Sequence, residues 1–169
     1  ATMELEKSAS GLKMTLPPQK VDRGIMPYYT TLVPEKPIRI PGKGRYITME
    51  VEAASDWGRV VYVLRDAKGE KWVSVGQRKS YNCDDTPNDS FFNFDGKRLV
   101  RFELPSHLEY DSFREYGTTW WGSSEGDGFV DLPLSIEKIF VERRSKAMYL
   151  NDLVKVDNPS VTLGDLYVE

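Results

Sequence analysis

A single cysteine and a single histidine occur among the 169 residues. One cysteine, Cys83, excludes an internal disulfide and a cysteine metal cluster and leaves the redox compartment open; its side chain is expected to serve as a small buried hydrophobe. One histidine, His107, excludes a His-based zinc site, and no serine stands in a nucleophile-elbow motif. A basic excess is missing too. Lys and Arg number 23 against 26 Asp and Glu, a formal net charge of −3, which offers no field for gripping a phosphate backbone and argues against nucleic acid as a partner. No stretch approaches the ~20 apolar residues that a membrane-spanning helix requires. No charged and apolar leader precedes Ala1, so the chain is expected to be a soluble, already trimmed module of a longer protein.

What is present is ordinary in hydrophobic content, 40%, and unusual in aromatic content, 12%, with four Trp and nine Tyr, some of them in loop-like sequence. The length suits one domain over residues 1–169 with one sizeable core. Ile47, Met49, Val51 and Ala53 alternate with Thr48, Glu50 and Glu52, the signature of a half-buried strand. Arg59 to Arg65 is apolar on both faces, and Asp66-Ala-Lys-Gly69 then gives a Gly-bearing turn into a strand over Glu70 to Val75, predicting a hairpin inside a sheet. A second hairpin is predicted at Asp95-Gly96, between Ser90 to Phe94 and Lys97 to Leu104, with Val100, Phe102 and Leu104 inward and Arg101 and Glu103 outward. Further strands are expected at Leu12 to Leu16, Ile38 to Ile40, Leu134 to Glu142, Leu153 to Val156 and Val161 to Val168. In the last of these, Val161 and Leu163 share one phase of the alternation and Leu166 and Val168 the other. The slip falls at Gly164-Asp165 and predicts a bulge or sharp twist there. The stretch from Pro17-Pro18 to Pro41 is loop-rich. Helix is scarce, the one start being the capping box Ser106-His-Leu-Glu109 after Pro105, enough for a turn or two. Many short strands with Gly and Pro turns point to an all-β, two-sheet antiparallel sandwich of jelly-roll type.

The longest break between strong strands runs from Pro105 to Pro133 and contains Tyr110, Phe113, Tyr116, Trp120 and Trp121. A break this long inside a compact domain is usually functional or disordered, and this one is too aromatic for disorder. Adjacent Trp120 and Trp121 cannot both enter one core if the backbone is extended, so at least one is expected at a rim. An exposed ring suits stacking on the apolar face of a sugar while neighbouring polar side chains bond its hydroxyls. Trp120, Trp121 and Tyr116 are the candidate stacking residues, and Arg114 and Asp127, with Glu115 and Glu125 beside them, the candidate hydrogen-bonding partners. Trp72, in a hairpin strand, is expected in the core; Trp57, which opens a strand, fits either role. Asp84, Asp85 and Asp89 form an acidic loop whose spacing fits no EF-hand, and it is expected to be a solvated surface loop. For catalysis the inventory is thin. His107 is expected to be structural, and paired carboxylates are uninformative among so many acids.

The segments Gly58-Arg-Val-Val-Tyr-Val-Leu-Arg-Asp-Ala-Lys-Gly-Glu-Lys-Trp72, Phe94-Asp-Gly-Lys-Arg-Leu-Val-Arg-Phe-Glu-Leu-Pro105, Leu132-Pro-Leu-Ser-Ile-Glu-Lys-Ile139 and Val161-Thr-Leu-Gly-Asp-Leu-Tyr-Val168 carry a resemblance spanning about residues 36–169. In the style and order of its strand-turn motifs the chain resembles carbohydrate-binding modules of the galactose-binding-like jelly-roll class, as appended to bacterial polysaccharide-degrading enzymes. The resemblance implies noncatalytic binding of a polysaccharide or oligosaccharide, an extracellular, cell-surface or periplasmic setting, and other domains of a parent protein as partners. It also implies a structural calcium ion near the first and last strands, with Asp165 and Glu6 as candidate ligands; where the class commonly carries two acidic residues in the closing strand, this chain has Gly164-Asp165. Two rival readings stand beside it: an accessory β-sandwich that packs on a catalytic neighbour, and a small jelly-roll enzyme acting on polysaccharide.

Overall fold

The structure, a computed structural model, describes residues 3–15, 27–54, 59–74, 94–105, 121–144 and 160–169. These hold eleven strands and no α-helix: β1 (Glu4–Ser8), β2 (Gly11–Thr15), β3 (Pro27–Leu32), β4 (Ile38–Arg39), β5 (Tyr46–Ala54), β6 (Arg59–Arg65), β7 (Lys71–Ser74), β8 (Asp95–Glu103), β9 (Trp121–Ser124), β10 (Ser135–Arg144) and β11 (Ser160–Val168). Period-two alternation sends one side chain of each pair inward. In β5, Ile47, Met49, Val51 and Ala53 are buried; in β8, Val100 and Phe102 are buried while Arg101 is exposed. β6 is apolar on both faces, with Val60, Tyr62 and Leu64 in the core and Val61 and Val63 buried on the opposite side.

The strands form two antiparallel sheets, ordered β1-β2-β11-β5-β8 and β3-β10-β6-β7-β9, with β4 beside β10. Without β1, β4 and β9, the remaining eight strands pair first with last (β2 with β11), second with seventh (β3 with β10), third with sixth (β5 with β8) and fourth with fifth (β6 with β7). Nested pairing of this kind is an antiparallel ribbon coiled on itself, the jelly-roll order of a β-sandwich. Between the sheets lie Met14, Ile47, Val51, Phe102 and Leu104 facing Ile40, Tyr62, Leu64, Leu134 and Ile136, all under 2% exposed. Burying a side chain of this size contributes about 1.5–3 kcal/mol each, and their interdigitation fixes which face of every strand points inward.

The phase slip in β11 is resolved as predicted. Leu163 pairs with Val51 and Leu166 with Met49, so Gly164 and Asp165 together oppose the single residue Glu50. The extra residue returns Leu166 and Val168 to the core side, where both pack on the buried cluster. The β6–β7 hairpin also forms, with Arg65 opposite Lys71 across the turn.

Three expectations are corrected. Asp95 and Gly96 are not a two-residue turn: Gly96 has the anticipated positive φ of 83°, but both residues open β8 and pair with Ala54 and Ala53. The loop-rich stretch before Pro41 contains β3, which pairs with β10 and lies at the edge of its sheet among the described residues. The long break after Pro105 is interrupted by β9, which pairs with β7 from Lys71 opposite Ser124 to Ser74 opposite Trp121. The expected strands over 90–93 and 153–156 and the helical start at Ser106 to Glu109 lie outside the described residues, as do Trp57, Cys83, His107, Asp84, Asp85 and Asp89.

Candidate functional site

At one end of the six-stranded sheet, the β6–β7 turn meets the segment that joins β9 to β10. Two carboxylates in the turn are buried, Asp66 at 6% and Glu70 at 3% exposure. A buried charge is tolerated only where donors surround it. Asp66 accepts the backbone N–H of Lys68 and of Glu70, both at 2.9 Å, that of Asp131 at 3.3 Å, and a longer contact from Trp72 Nε1 at 3.4 Å. Glu70 accepts the N–H of Asp127 at 3.0 Å and that of Gly128, shared between its two oxygens at 2.9 and 3.1 Å. The Ala67 N–H donates to the Asp131 carbonyl at 2.8 Å, which completes the junction. Gly126 fits because a Cβ there would stand 2.2 Å from the Glu70 carboxylate. Val130 and Leu132 pack on the core and pin the far side of the segment.

The segment so anchored presents Asp127, Phe129 and, from the turn, Lys68 to solvent. Phe129 is 54% exposed. Asp127 Oδ1 accepts the Phe129 N–H at 2.9 Å, an Asx turn that sets the backbone leading to the ring, while Oδ2 lies 3.8 Å from Lys68 Nζ. Lys68 Nζ also approaches Asp131 Oδ2 at 3.0 Å, obliquely, as an ion pair without a directed hydrogen bond. Contact with Asp131, then the charge of Asp127, raises the Lys68 ammonium above its ordinary value. Next to this trio, Arg65 bonds Glu137 at 2.6 Å and Glu125 at 2.8 Å, and Lys71 bonds Glu125 at 3.0 Å. The Arg65 and Lys71 bonds hold the Glu125 carboxyl below its usual range. Exposed ion pairs of this kind add little stability, but here they tie down Glu125, whose φ of 69° is unusual for a residue with a Cβ. The result is a positioned aromatic ring beside one carboxylate and one ammonium.

Of the residues predicted from sequence, Asp127 lies on this exposed segment. Trp121 does not: it is 2% exposed, meets Phe102 edge-on with centroids 5.3 Å apart, and donates its Nε1 hydrogen to the Glu103 carbonyl at 2.7 Å. Its indole therefore bridges β9 of one sheet to β8 of the other, and no ligand can stack on it. Arg114, Tyr116 and Trp120 lie outside the described residues. Trp72 is in the core as expected, 5% exposed.

Asp165 and Glu6 are not brought together. Glu6 stands opposite Lys13, Lys13 opposite Thr162, and Asp165 three residues further along β11. That is roughly 10 Å across the sheet and roughly 10 Å along it. Calcium requires six or more oxygens converging on one point. Among the described residues no three His, Cys, Asp or Glu side chains converge to hold a metal, so this pair does not fit the ion. Nor is any described helix long and apolar enough to cross a membrane.

Sequence reasoning missed Asp66, Glu70, Lys68 and Phe129. The available signal was Glu125-Gly-Asp-Gly128, where alternating glycines mark a backbone that another group must approach closely. Comparison of the chain with protein-family models, curated proteins and solved structures finds no significant match.

Proposed function

We propose that this jelly-roll sandwich is a noncatalytic carbohydrate-binding module, carried by a larger extracellular or cell-surface protein, and that it engages its glycan through the segment 125–131. The observation that carries this reading is an exposed loop whose backbone is fixed from beneath by two buried carboxylates. Phe129 offers an apolar face for a sugar ring, and Asp127 and Lys68 an acceptor and a donor for its hydroxyls. Sites made of few polar groups on a rigid scaffold lose little entropy on binding. Arg114, Tyr116 and Trp120 precede β9 in the chain and are proposed as further contacts, to be tested by substitution. Trp121 is withdrawn from the ligand set because its ring is already enclosed by Phe102 and Glu103.

Affinity electrophoresis through gels containing neutral and acidic polysaccharides tests this reading. The wild type is expected to be retarded by at least one polysaccharide and the Phe129→Ala variant to run nearly as in a plain gel. Unretarded migration in every gel, or equal retardation of both proteins, would refute it.

A further inference from the structure

The bulge in β11 builds a second concavity on the other sheet. Gly164 and Asp165 together oppose Glu50, which interrupts the ladder between β11 and β5 at this point. The turn between β1 and β2 folds alongside it, leaving a groove of about 830 Å³ walled by Lys7, Glu50, Lys97 and Asp165. Two of its lining residues are glycines with neighbours in close approach. A Cβ on Gly11 would stand 2.0 Å from the Leu163 carbonyl oxygen, and one on Gly164 would stand 3.2 Å from Glu50 Cβ and 3.4 Å from the Ser10 oxygen. Met49 and Val51 fill the core, so Glu50 between them faces outward, away from the other sheet.

The chemistry of the walls selects a ligand class. Two ammonium and two carboxylate groups cancel in charge, which favours neither a metal ion nor a polyanion, and the volume is far larger than an ion requires. These groups are also loosely engaged with each other. Lys97 Nζ is 3.8 Å from Glu50 and 4.0 Å from Glu52, beyond hydrogen-bonding range, and Asp165 has a long 3.4 Å contact from the Tyr167 hydroxyl. Hydrogen-bonding capacity now met by water can pass to ligand hydroxyls with little enthalpic loss. Tyr167, 44% exposed, lies beside Asp165 and supplies an apolar ring at the margin.

We propose that this groove is a second saccharide subsite, specific for a neutral sugar unit, with Glu50 and Asp165 accepting from its hydroxyls and Lys97 donating to its oxygens. The inference rests on the glycan-binding reading and extends it. The end loop belongs to the six-stranded sheet and the groove to the five-stranded one, so the module is bivalent, and on a repeating polymer two weak sites act together through effective concentration.

Amide chemical-shift mapping with neutral β-linked glucan, xylan and mannan hexasaccharides tests it. One of them is expected to shift the amides of Gly128 and Phe129 and, separately, those of Gly11, Gly164 and Asp165. The isosteric double variant Glu50→Gln, Asp165→Asn is expected to weaken the groove titration about tenfold while its spectrum elsewhere and the loop titration stay unchanged; Phe129→Ala is expected to do the reverse. Shifts confined to the loop, or groove shifts undiminished in the double variant, would overturn the second subsite and leave the first intact. No shift at either place with any sugar would overturn both.

Discussion

Replacing Glu70 by Ala removes the carboxylate that anchors the exposed segment from below. Two backbone donors, the N–H groups of Asp127 and Gly128, lose an ionised acceptor at 2.9 to 3.1 Å. Hydrogen bonds to charged groups contribute about 1.5–3 kcal/mol each, which sets an upper limit near ~6 kcal/mol for two. Two effects reduce it: the desolvation of the Glu70 charge is relieved, and the segment can lift and give its N–H groups to water. A net loss of about 2–3 kcal/mol remains. Glu70→Gln keeps one acceptor oxygen but turns an amide donor toward a donor, and is expected to lose about half as much. Urea unfolding followed by tryptophan fluorescence reads both variants, with the denaturant slope as a check that the transition stays two-state. The second consequence is functional. Glu70 is buried and touches no ligand in this account, yet its loss frees Asp127 and Phe129 and should weaken glycan binding by about tenfold. An Ala variant within about 0.5 kcal/mol of wild type, or one with lowered stability and unchanged affinity, would refute the claim that this carboxylate holds the site.

Trp121→Ala should cost about 3–5 kcal/mol, as expected for an aromatic core truncation, and Trp121→Phe less, since it forfeits chiefly the Glu103 hydrogen bond; a variant that binds glycan poorly yet melts like wild type would return Trp121 to the ligand set. Gly11→Ala forces a Cβ to 2.0 Å from a backbone oxygen at a φ of 131°, and should destabilise by more than about 3 kcal/mol or prevent folding, read as loss of a cooperative melt. The Tyr62 hydroxyl is buried with no hydrogen-bond partner among the described residues, so Tyr62→Phe should leave stability unchanged or raise it by about 1 kcal/mol. Burial pushes this hydroxyl above its ordinary value, so only the unfolded chain ionises it near pH ~10. The stability this confers is full below that pH and lost above it. Tyr62→Phe should therefore lose less stability than wild type between about pH 8 and about pH 11, as compared by urea midpoints.

The parts of the fold that were legible in sequence are those where burial alone decides the pattern. β5 and β8 alternate because one face meets the core, and the bulge in β11 was visible as a change of phase that a regular strand cannot accommodate. β9 was not visible. Its four residues, Trp-Gly-Ser-Ser, carry no alternation and are held by pairing with β7, which depends on residues far away in the chain. The pair Trp120-Trp121 indicated that one ring at most enters the core without indicating which, and it is the Glu103 carbonyl on the facing sheet that fixes Trp121 inside. Gly96 was misjudged because a positive φ serves the start of a strand as well as a turn. The two anchoring carboxylates escaped notice for a similar reason: the donors that bind Glu70 lie 57 and 58 residues further on, and no local pattern of Glu70 itself distinguishes a buried anchor from a solvated strand residue.

Under the proposed function a glycan stacks on the ring that this rigid segment exposes. Calorimetric titration of wild type and Phe129→Ala with a hexasaccharide from the polysaccharide that retards the wild type measures it most directly. The expected affinity is at least about tenfold lower in the variant, with a far smaller fall in the unfolding midpoint than a core truncation gives, because the ring is 54% exposed. Equal affinity in the two proteins would contradict it.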